Sequence, residues 1–456
     1  MGVNGLDDVG VAIEQERERL RALAALTPGL PRMRATGKVA ELAGLTVVSE
    51  GPAARLGELC LIRPPGGAAE VAAQVVGFRH GYTLLLPLGR MGGVATGCPV
   101  VATGRPLSVR TGPGMLGRVL DAFGRPMDGR GELGETVLRP VENTPPPPLA
   151  RRRITEPLHF GIRAIDTLLT CGKGQRVGIF SGAGVGKSSL LGMMARYHTA
   201  DVAVVGLIGE RGREVRDFLE VNLGDGLARA VVVAATSDEP ALVRITAGLT
   251  ATAIAEHFRD QGLDVLLVID SLTRLARGQR EVGLAAGEAP TTRGYPASMY
   301  EFLARLLERA GAGATGSITG LYAVLVEGDD LHEPVSDAVS AILDGHIHLT
   351  RELADRGHHP AIDVNRSVSR LMPRLVDEEL LAAAASFREL LAAHREVEDL
   401  IAVGAYRPGS RPLADTAVRQ RQPMMDFLRQ RQYEHADPSA ARDRLRALMA
   451  RGAAGE

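Results

Sequence analysis

Ser181-Gly182-Ala183-Gly184-Val185-Gly186-Lys187-Ser188 stands between the apolar run Val177 to Phe180 and a stretch of helical periodicity from Lys187 to Tyr197. Strand, glycine-rich turn and helix in that order form a phosphate-binding context. Gly182, Ala183, Gly184, Val185 and Gly186 are small enough for successive backbone N–H groups to curl around a phosphate chain. The helix N-terminus adds partial positive charge, Lys187 reaches the β and γ oxygens, and the Ser188 hydroxyl is offered to Mg²⁺. Ser189 is grouped with these nucleotide-binding residues. The strict pattern has Gly where Ser181 stands, so a purely structural glycine-rich turn is the competing reading.

Val265-Leu266-Leu267-Val268-Ile269-Asp270 is a second apolar strand that ends in a carboxylate, the arrangement that holds Mg²⁺, often through water. Between the two, the run Val202 to Ile208 delivers Gly209-Glu210-Arg211 at its tip. A carboxylate there can orient or deprotonate an attacking water, and an arginine beside it can neutralise developing charge. A plain surface Glu–Arg pair is the alternative for this segment taken alone. With Val231 to Ala235 and a helical Ala241 to Gln261, the pattern is of fully apolar strands alternating with helices. It predicts an α/β fold with a P-loop core whose parallel sheet is covered on both faces.

Toward the N-terminus the texture changes. Thr36 to Pro106 carries short β-type runs such as Leu45 to Val48 and Tyr82 to Leu86, punctuated by Gly and Pro, which predicts a small N-terminal β-barrel. Residues 6–28 combine Leu6, Val9, Ile13, Leu20 and Leu23 at near-helical spacing with Glu14 to Arg19, an amphipathic helix that either packs on its own protein or docks a partner or membrane. Pro145-Pro146-Pro147-Pro148 reads as an extended internal connector. From Asp377 onward Ala, Leu, Arg and Glu recur at helical spacing. The expected organisation is an arm (1–33), a barrel (34–106), a nucleotide-binding core (107–373) and a C-terminal helical domain (374–456).

Composition restricts the function classes. Of 456 residues, 45% are apolar and 23% charged, the balance of a folded enzyme rather than a disordered chain. With 53 basic and 54 acidic side chains the net charge is −1, so no global field draws the chain to nucleic acid or anionic lipid. Cys60, Cys98 and Cys171 lack paired spacing, which argues against a disulfide framework or structural zinc and favours a reducing cytoplasm. The start lacks a signal-peptide pattern, and no run approaches the roughly 20 apolar residues of a membrane helix. His346, His348, His358 and His359 bring no organised carboxylate or Cys set, and are read as structural rather than metal-binding, with His346 and His348 on one strand face.

Several longer runs carry a family resemblance. Gly209 to Glu214 (GERGRE), Asp270 to Arg274 (DSLTR), Gly283 to Glu288 (GLAAGE), Arg293 to Pro296 (RGYP), Val326 to Asp330 (VEGDD), Ile342 to Ile347 (ILDGHI) and His359 to Asp363 (HPAID) resemble the flagellar and type III secretion ATPases, over residues 34 to 430. The resemblance implies a RecA-like P-loop core with an N-terminal β-barrel and a C-terminal helical domain; rotary ATP synthase relatives share that fold and a weaker version of these motifs. The resemblance implies that Glu210 is the catalytic carboxylate, that Arg211 and Arg274 sit near the γ-phosphate, and that Asp270 is the metal-side acid. It also places Arg370, in Ser367-Val368-Ser369-Arg370, as an arginine finger acting on a neighbouring subunit's nucleotide; Arg366 is the confusable neighbour. His359 stands where relatives often set an aromatic near adenine, and a histidine can still stack.

The expected activity is therefore Mg²⁺-dependent ATP hydrolysis assisting protein export. The expected assembly is a homo-hexamer, with a stator-like regulator on the N-terminal arm, a central stalk and chaperone–substrate complexes at the C-terminal helices, and an export gate at the inner membrane. The expected location is cytoplasmic, peripheral at the inner face of the cell membrane. Three alternatives stand against it. A rotary synthase catalytic subunit would carry an acidic shaft-contacting loop where this chain has the basic, turn-forming Ala405-Tyr406-Arg407-Pro408-Gly409-Ser410-Arg411-Pro412. A hexameric nucleic-acid motor would interleave basic and stacking aromatic residues in its barrel, but residues 36–106 hold only Phe78 and Tyr82, so no nucleic-acid partner is expected. A non-catalytic nucleotide-binding sibling usually lacks the acid that Glu210 supplies. Between export systems, the barrel runs Gly37 to Leu45 and Val75 to Arg79 lean toward the flagellar one.

Overall fold

The structure is a computed structural model that describes residue 19, residues 35–326, residue 330 and residues 333–454. The amphipathic arm expected over residues 1–33, and residues 327–329 of the VEGDD run, lie outside these residues.

Six strands, β1 (Thr36–Ala43), β2 (Thr46–Glu50), β3 (Glu58–Ile62), β4 (Val71–Arg79), β5 (Tyr82–Pro87) and β6 (Pro99–Pro106), close into a barrel in the order β1-β2-β5-β4-β3-β6. Alternate residues point inward, among them Val71, Ala73 and Val75 on one strand and Val100 and Ala102 on another, so a period-2 pattern fills a small core. Closure comes from β1 pairing with β6, Thr36 opposite Val101, which leaves no strand edge open.

The proline connector is extended through Pro147, but Pro148 opens a single 3₁₀ turn, Pro148–Ala150. This departs from the expected fully extended run. A proline is tolerated at a first helical position because its missing N–H would have had no partner there. Just upstream, the connector is seated by a buried ion pair. Arg309 Nε and Nη2 donate to the two Glu256 carboxylate oxygens at 2.8 and 3.0 Å, and Arg309 Nη1 donates to the Val141 carbonyl at 2.8 Å.

The core sheet is built from β7 (Val119–Leu120), β8 (Arg176–Ser181), β9 (Val202–Glu210), β10 (Ala230–Thr236), β11 (Asp264–Asp270), β12 (Ser317–Leu325), β13 (Gly345–Leu349) and β14 (Val368–Ser369). Their order is β14-β13-β8-β12-β11-β9-β10-β7, with the short strand Gly311–Ala312 beside β12. All main pairings are parallel, and only the edge strand β14 and the short strand run antiparallel. On β9, Ala203, Val205 and Leu207 enter one apolar layer while Val202, Val204 and Ile208 enter the other. Burial of both faces is why this strand reads as a continuous apolar run.

Helices α1 (Arg163–Leu168), α2 (Lys187–Tyr197), α3 (Gly212–Asp217), α4 (Ala241–Asp260) and α5 (Leu272–Ala286) belong to the core, and α6 (Glu378–Ala402), α7 (Pro412–Leu428) and α8 (Pro438–Ala454) form the C-terminal helical domain. Asp377 caps α6, its carboxylate accepting from the Leu380 N–H at 2.8 Å, with Glu378 and Glu379 favourably placed in the first turn. Among the described residues, no helix is long and apolar enough to cross a membrane.

Candidate active site

Parallel strands present their carboxyl ends on one edge of the sheet, and ligands of open α/β sheets bind there. Three candidate residues arrive on that edge from three strands: Lys187 after β8, Glu210 at the tip of β9 and Asp270 at the tip of β11.

The phosphate loop takes its shape from two glycines. Gly184 has φ 76° and Gly186 φ 99°, left-handed values that suit only glycine well. Ser181 lies at the last position of extended β8 and is not in that region, so a Cβ costs nothing where the strict pattern has Gly. Its carbonyl accepts from the Val326 N–H at 3.0 Å, which fixes where the strand ends. Val185 is buried under the loop, while Ala183, Gly184, Gly186 and Ser188 face outward and Gly182 is covered. Arg351 braces the loop from outside, donating through Nη2 to the Ala183 carbonyl at 2.8 Å.

Lys187 Nζ donates to Asp270 Oδ1 and lies 4.0 Å from Glu210 Oε1. One ammonium thus stands before two carboxylates and is committed to the nearer. Glu210 keeps the consequence: burial first, then repulsion from Asp270, push its pKa up to about 7. A hydrogen bond with Glu214 raises it further, and Lys187 and Arg274 act in the opposite direction. A carboxylate poised near neutrality can take up a proton and release it again, as a general base requires.

Gly209 aims Glu210. Its φ is 70°, and the β9–β10 register shifts between Ile208 and Glu210, a bulge that turns the strand tip. A Cβ at Gly209 would stand 3.3 Å from the Arg274 side chain, so Arg274 lies directly over the bulge. Arg274 is held at the start of α5, where Ser271 Oγ accepts its backbone N–H. Arg211, expected beside the γ-phosphate, leads into α3 with its side chain 78% exposed and donates to Glu214 Oε1 at 3.3 Å. The bulge that turns Glu210 inward sends the next residue outward.

His359 lies against the loop: a Cβ on Gly186 would be 3.8 Å from its Nδ1. Arg370 lies elsewhere. It follows β14, which pairs with β13 at Gly345 and His346, and its N–H donates to the Asp344 carbonyl at 3.0 Å. Gly345 is opposite Val177 while Leu349 is opposite Ser181, so Arg370 sits at the amino end of the sheet. Four residues of strand, about 13 Å, separate it from the level of its own phosphate loop. Arg366 is at the carboxyl end instead, lining with Ser181, Gly182 and Asp363 a cavity of about 420 Å³.

Ser188 and Asp270 offer a hydroxyl and a carboxylate, hard oxygen donors of the kind Mg²⁺ accepts alongside water and phosphate oxygens, so the residues present fit that ion. His346 and His348 use their shared face differently, packing on Phe180 with ring centroids 5.4 and 5.1 Å away. Among the described residues, no group of three or more His, Cys, Asp or Glu is placed to hold a metal.

Residues 161–369 match the ATP synthase alpha/beta family nucleotide-binding domain, and residues 376–447 match the T3SS EscN ATPase C-terminal domain. The chain is similar to the "Flagellum-specific ATP synthase" of Bacillus subtilis, 51% identical over 86% of this chain and 90% of that one. It is equally similar to the "Type 3 secretion system ATPase" of Xanthomonas euvesicatoria, 50% identical over 90% and 92% of the two chains. Among solved structures, the assembled ATPase EscN of the enteropathogenic E. coli type III secretion system superposes with a TM-score of 0.86 at 43% identity, covering 90% of this chain and 99% of that one. EscN solved with its central stalk EscO superposes with a TM-score of 0.84 at 42% identity, over the same shares of the two chains.

Proposed function

We propose, from the premise that this chain belongs to the flagellar and type III secretion ATPases and hydrolyses ATP for protein export, that Lys187, Glu210 and Asp270 form its hydrolytic centre. The convergence of one ammonium and two carboxylates at the carboxyl edge of the sheet carries this reading.

The backbone N–H groups of Gly182 to Gly186 and the N-terminus of α2 receive the phosphate chain, with Ser189 in the first turn behind them. Lys187 exchanges its Asp270 partner for β and γ oxygens. Ser188 and Asp270 would hold Mg²⁺, which when bound supplies charge neutralisation to the phosphates. Glu210 orients the attacking water and takes its proton. Arg274, over the Gly209 bulge, answers charge that develops on the transferring group. Arg211 reaches that group only by leaving Glu214. His359, against Gly186, faces the base.

Arg370 completes a neighbour's site rather than its own, in keeping with its place at the far end of the sheet. The active unit is then a homo-hexameric ring, for which the assembled state of EscN is the precedent. The C-terminal helices face a central stalk, as EscN was solved with EscO, and chaperone–substrate complexes. The arm 1–33 binds a stator-like regulator, and the ring works at the export gate on the cytoplasmic face of the inner membrane. The barrel runs favour a flagellar setting.

The match to an EscN-type C-terminal domain supports export over ATP synthesis. So does the loop before α7, where Asp415 accepts from the Tyr406 hydroxyl and the Gly409 N–H, both at 2.8 Å, leaving Arg407 and Arg411 outside. Deletion of the gene in its native host, complemented with wild type or Glu210→Gln, tests the proposal. Export should stop and return only with wild type. Normal export accompanied by failing ATP synthesis or RNA metabolism would overturn it.

A further inference from the structure

Between α7 and α8 the chain crosses onto the nucleotide-binding core, and Gln430 on this crossing is only 4% exposed. A buried primary amide is costly unless its donors and acceptor are all matched. Here they are. Gln430 Oε1 accepts from the Arg163 N–H at 3.0 Å, and Nε2 donates to the Gly161 and Glu434 carbonyls, each at 2.7 Å. The backbone N–H of Gln430 donates to the His359 carbonyl at 2.9 Å. One residue of the helical domain therefore touches the turn before α1, its own crossing segment and the His359 loop.

We propose that Gln430 is a positioning residue for nucleotide binding: from the C-terminal helical domain it holds His359 against the phosphate loop, so that the seating of that domain sets how firmly the base is gripped. The proposal rests on the reading that His359 faces the base. The route is short: the Gln430 backbone N–H bonds the His359 carbonyl, and the His359 ring faces Gly186, its Nδ1 3.8 Å from where a Cβ on that glycine would stand. The side chain anchors the crossing on the core, and the anchored backbone fixes His359. Removing the side chain leaves the amide that bonds His359 in place but frees the segment that carries it.

A purely structural clamp would act differently. Arg163 ties the same crossing to the core through the Phe427 carbonyl, at 2.8 Å, and through Glu434, without touching His359. If Gln430 only docks the domain, weakening it and weakening Glu434 should have the same effect.

The test measures kcat and KM for ATP, the inhibition constant of inorganic tripolyphosphate and the melting temperature on the full chain. Gln430→Met should raise KM about tenfold, as expected when a buried hydrogen-bond set is lost, with kcat within about twofold. Tripolyphosphate, which has no base, should inhibit as it does wild type. Gln430→Glu keeps the side-chain length and the acceptor for the Arg163 N–H but sets a carboxylate oxygen, which cannot donate, against the Gly161 and Glu434 carbonyls, and should raise KM at least as much as Gln430→Met; Glu434→Gln should leave KM near wild type. His359→Ala should raise KM, and adding Gln430→Met to it should raise KM no further. The proposal is overturned if Gln430→Met and Gln430→Glu both keep wild-type KM while His359→Ala does not, a result that leaves the His359 reading standing. Equal weakening of ATP and tripolyphosphate, or matching losses in Glu434→Gln, would reduce Gln430 to a clamp and overturn it as well. Wild-type KM in His359→Ala would remove the base-facing reading and the proposal together.

Discussion

Lys187 donates directly to the Asp270 carboxylate while Glu210 waits 4.0 Å from the same ammonium. The three groups come from different strand ends and share one positive charge. On the proposed reading, nucleotide binding is a change of partners for Lys187, from Asp270 to phosphate.

This division of labour separates two substitutions. Lys187→Ala should lose most ATP binding, because among the described residues no other lysine stands at the loop's mouth. Glu210→Gln should bind ATP about as tightly as wild type but hydrolyse it at least about 100-fold more slowly, since an amide cannot take a proton. Nucleotide binding by calorimetry and steady-state turnover check the pair; similar turnover in both variants and wild type would remove the assignment.

The raised pKa of Glu210 gives a pH signature. Water activation needs the carboxylate, so kcat should climb as pH passes through about 7 and flatten above it, and Glu210→Gln should lack that limb. Stability runs the other way. A group raised from 4.5 to about 7 on folding contributes stability that is full below 4.5 and lost as pH rises through 7. Glu210→Gln should therefore gain stability over wild type between pH 5 and pH 8, by on the order of 1–3 kcal/mol. Denaturant melts at the two pH values measure it, and a gain independent of pH would contradict the cause assigned to the shift.

Gly209 is where backbone conformation becomes chemistry. Gly209→Ala must place a Cβ at φ 70° and 3.3 Å from Arg274, costing about 1–2 kcal/mol for the left-handed conformation alone. Any relief rotates the strand tip that aims Glu210. Unfolding should show that loss, and kcat should fall more than about tenfold, the cost of roughly 1.4 kcal/mol in the barrier. Wild-type turnover in a correctly folded Gly209→Ala would show that the bulge does not aim the carboxylate.

What could be read before the fold was known follows from how local each signal is. The phosphate loop, the acids closing the apolar runs at Glu210 and Asp270, and the alternation that builds barrel and sheet all lie within short windows, where strand and turn physics act directly. The cap at Asp377 is equally local. Arg351 bracing Ala183 and Gln430 reaching His359 are contacts between remote segments, and neither residue sits in a pattern that marks it. Arg211 illustrates a subtler limit. Its place after Glu210 is legible in the sequence, but its direction depends on a one-residue bulge, and a shift of one position on a strand exchanges inward for outward. Pro148 began a 3₁₀ turn for a related reason: proline forbids helix interiors, not helix beginnings.

Arg370 supplies the sharpest test of assembly. It stands at the amino end of the sheet, on the edge strand, while its own phosphate loop is at the carboxyl end. On the proposed reading this guanidinium serves catalysis across a subunit boundary, where an arginine finger contributes about 10³–10⁵ in rate. Specific activity should thus rise with protein concentration as rings form. Arg370→Ala and Glu210→Gln proteins, each nearly inactive alone, should recover activity when mixed. Interfaces in which an intact Arg370 from one subunit meets an intact Glu210 in the next are restored, as a head-to-tail ring contact allows. Mixed rings verified by mass and still inactive, or a dilute monomer with full turnover, would place the finger elsewhere and return attention to Arg366, which lines the cavity beside its own loop.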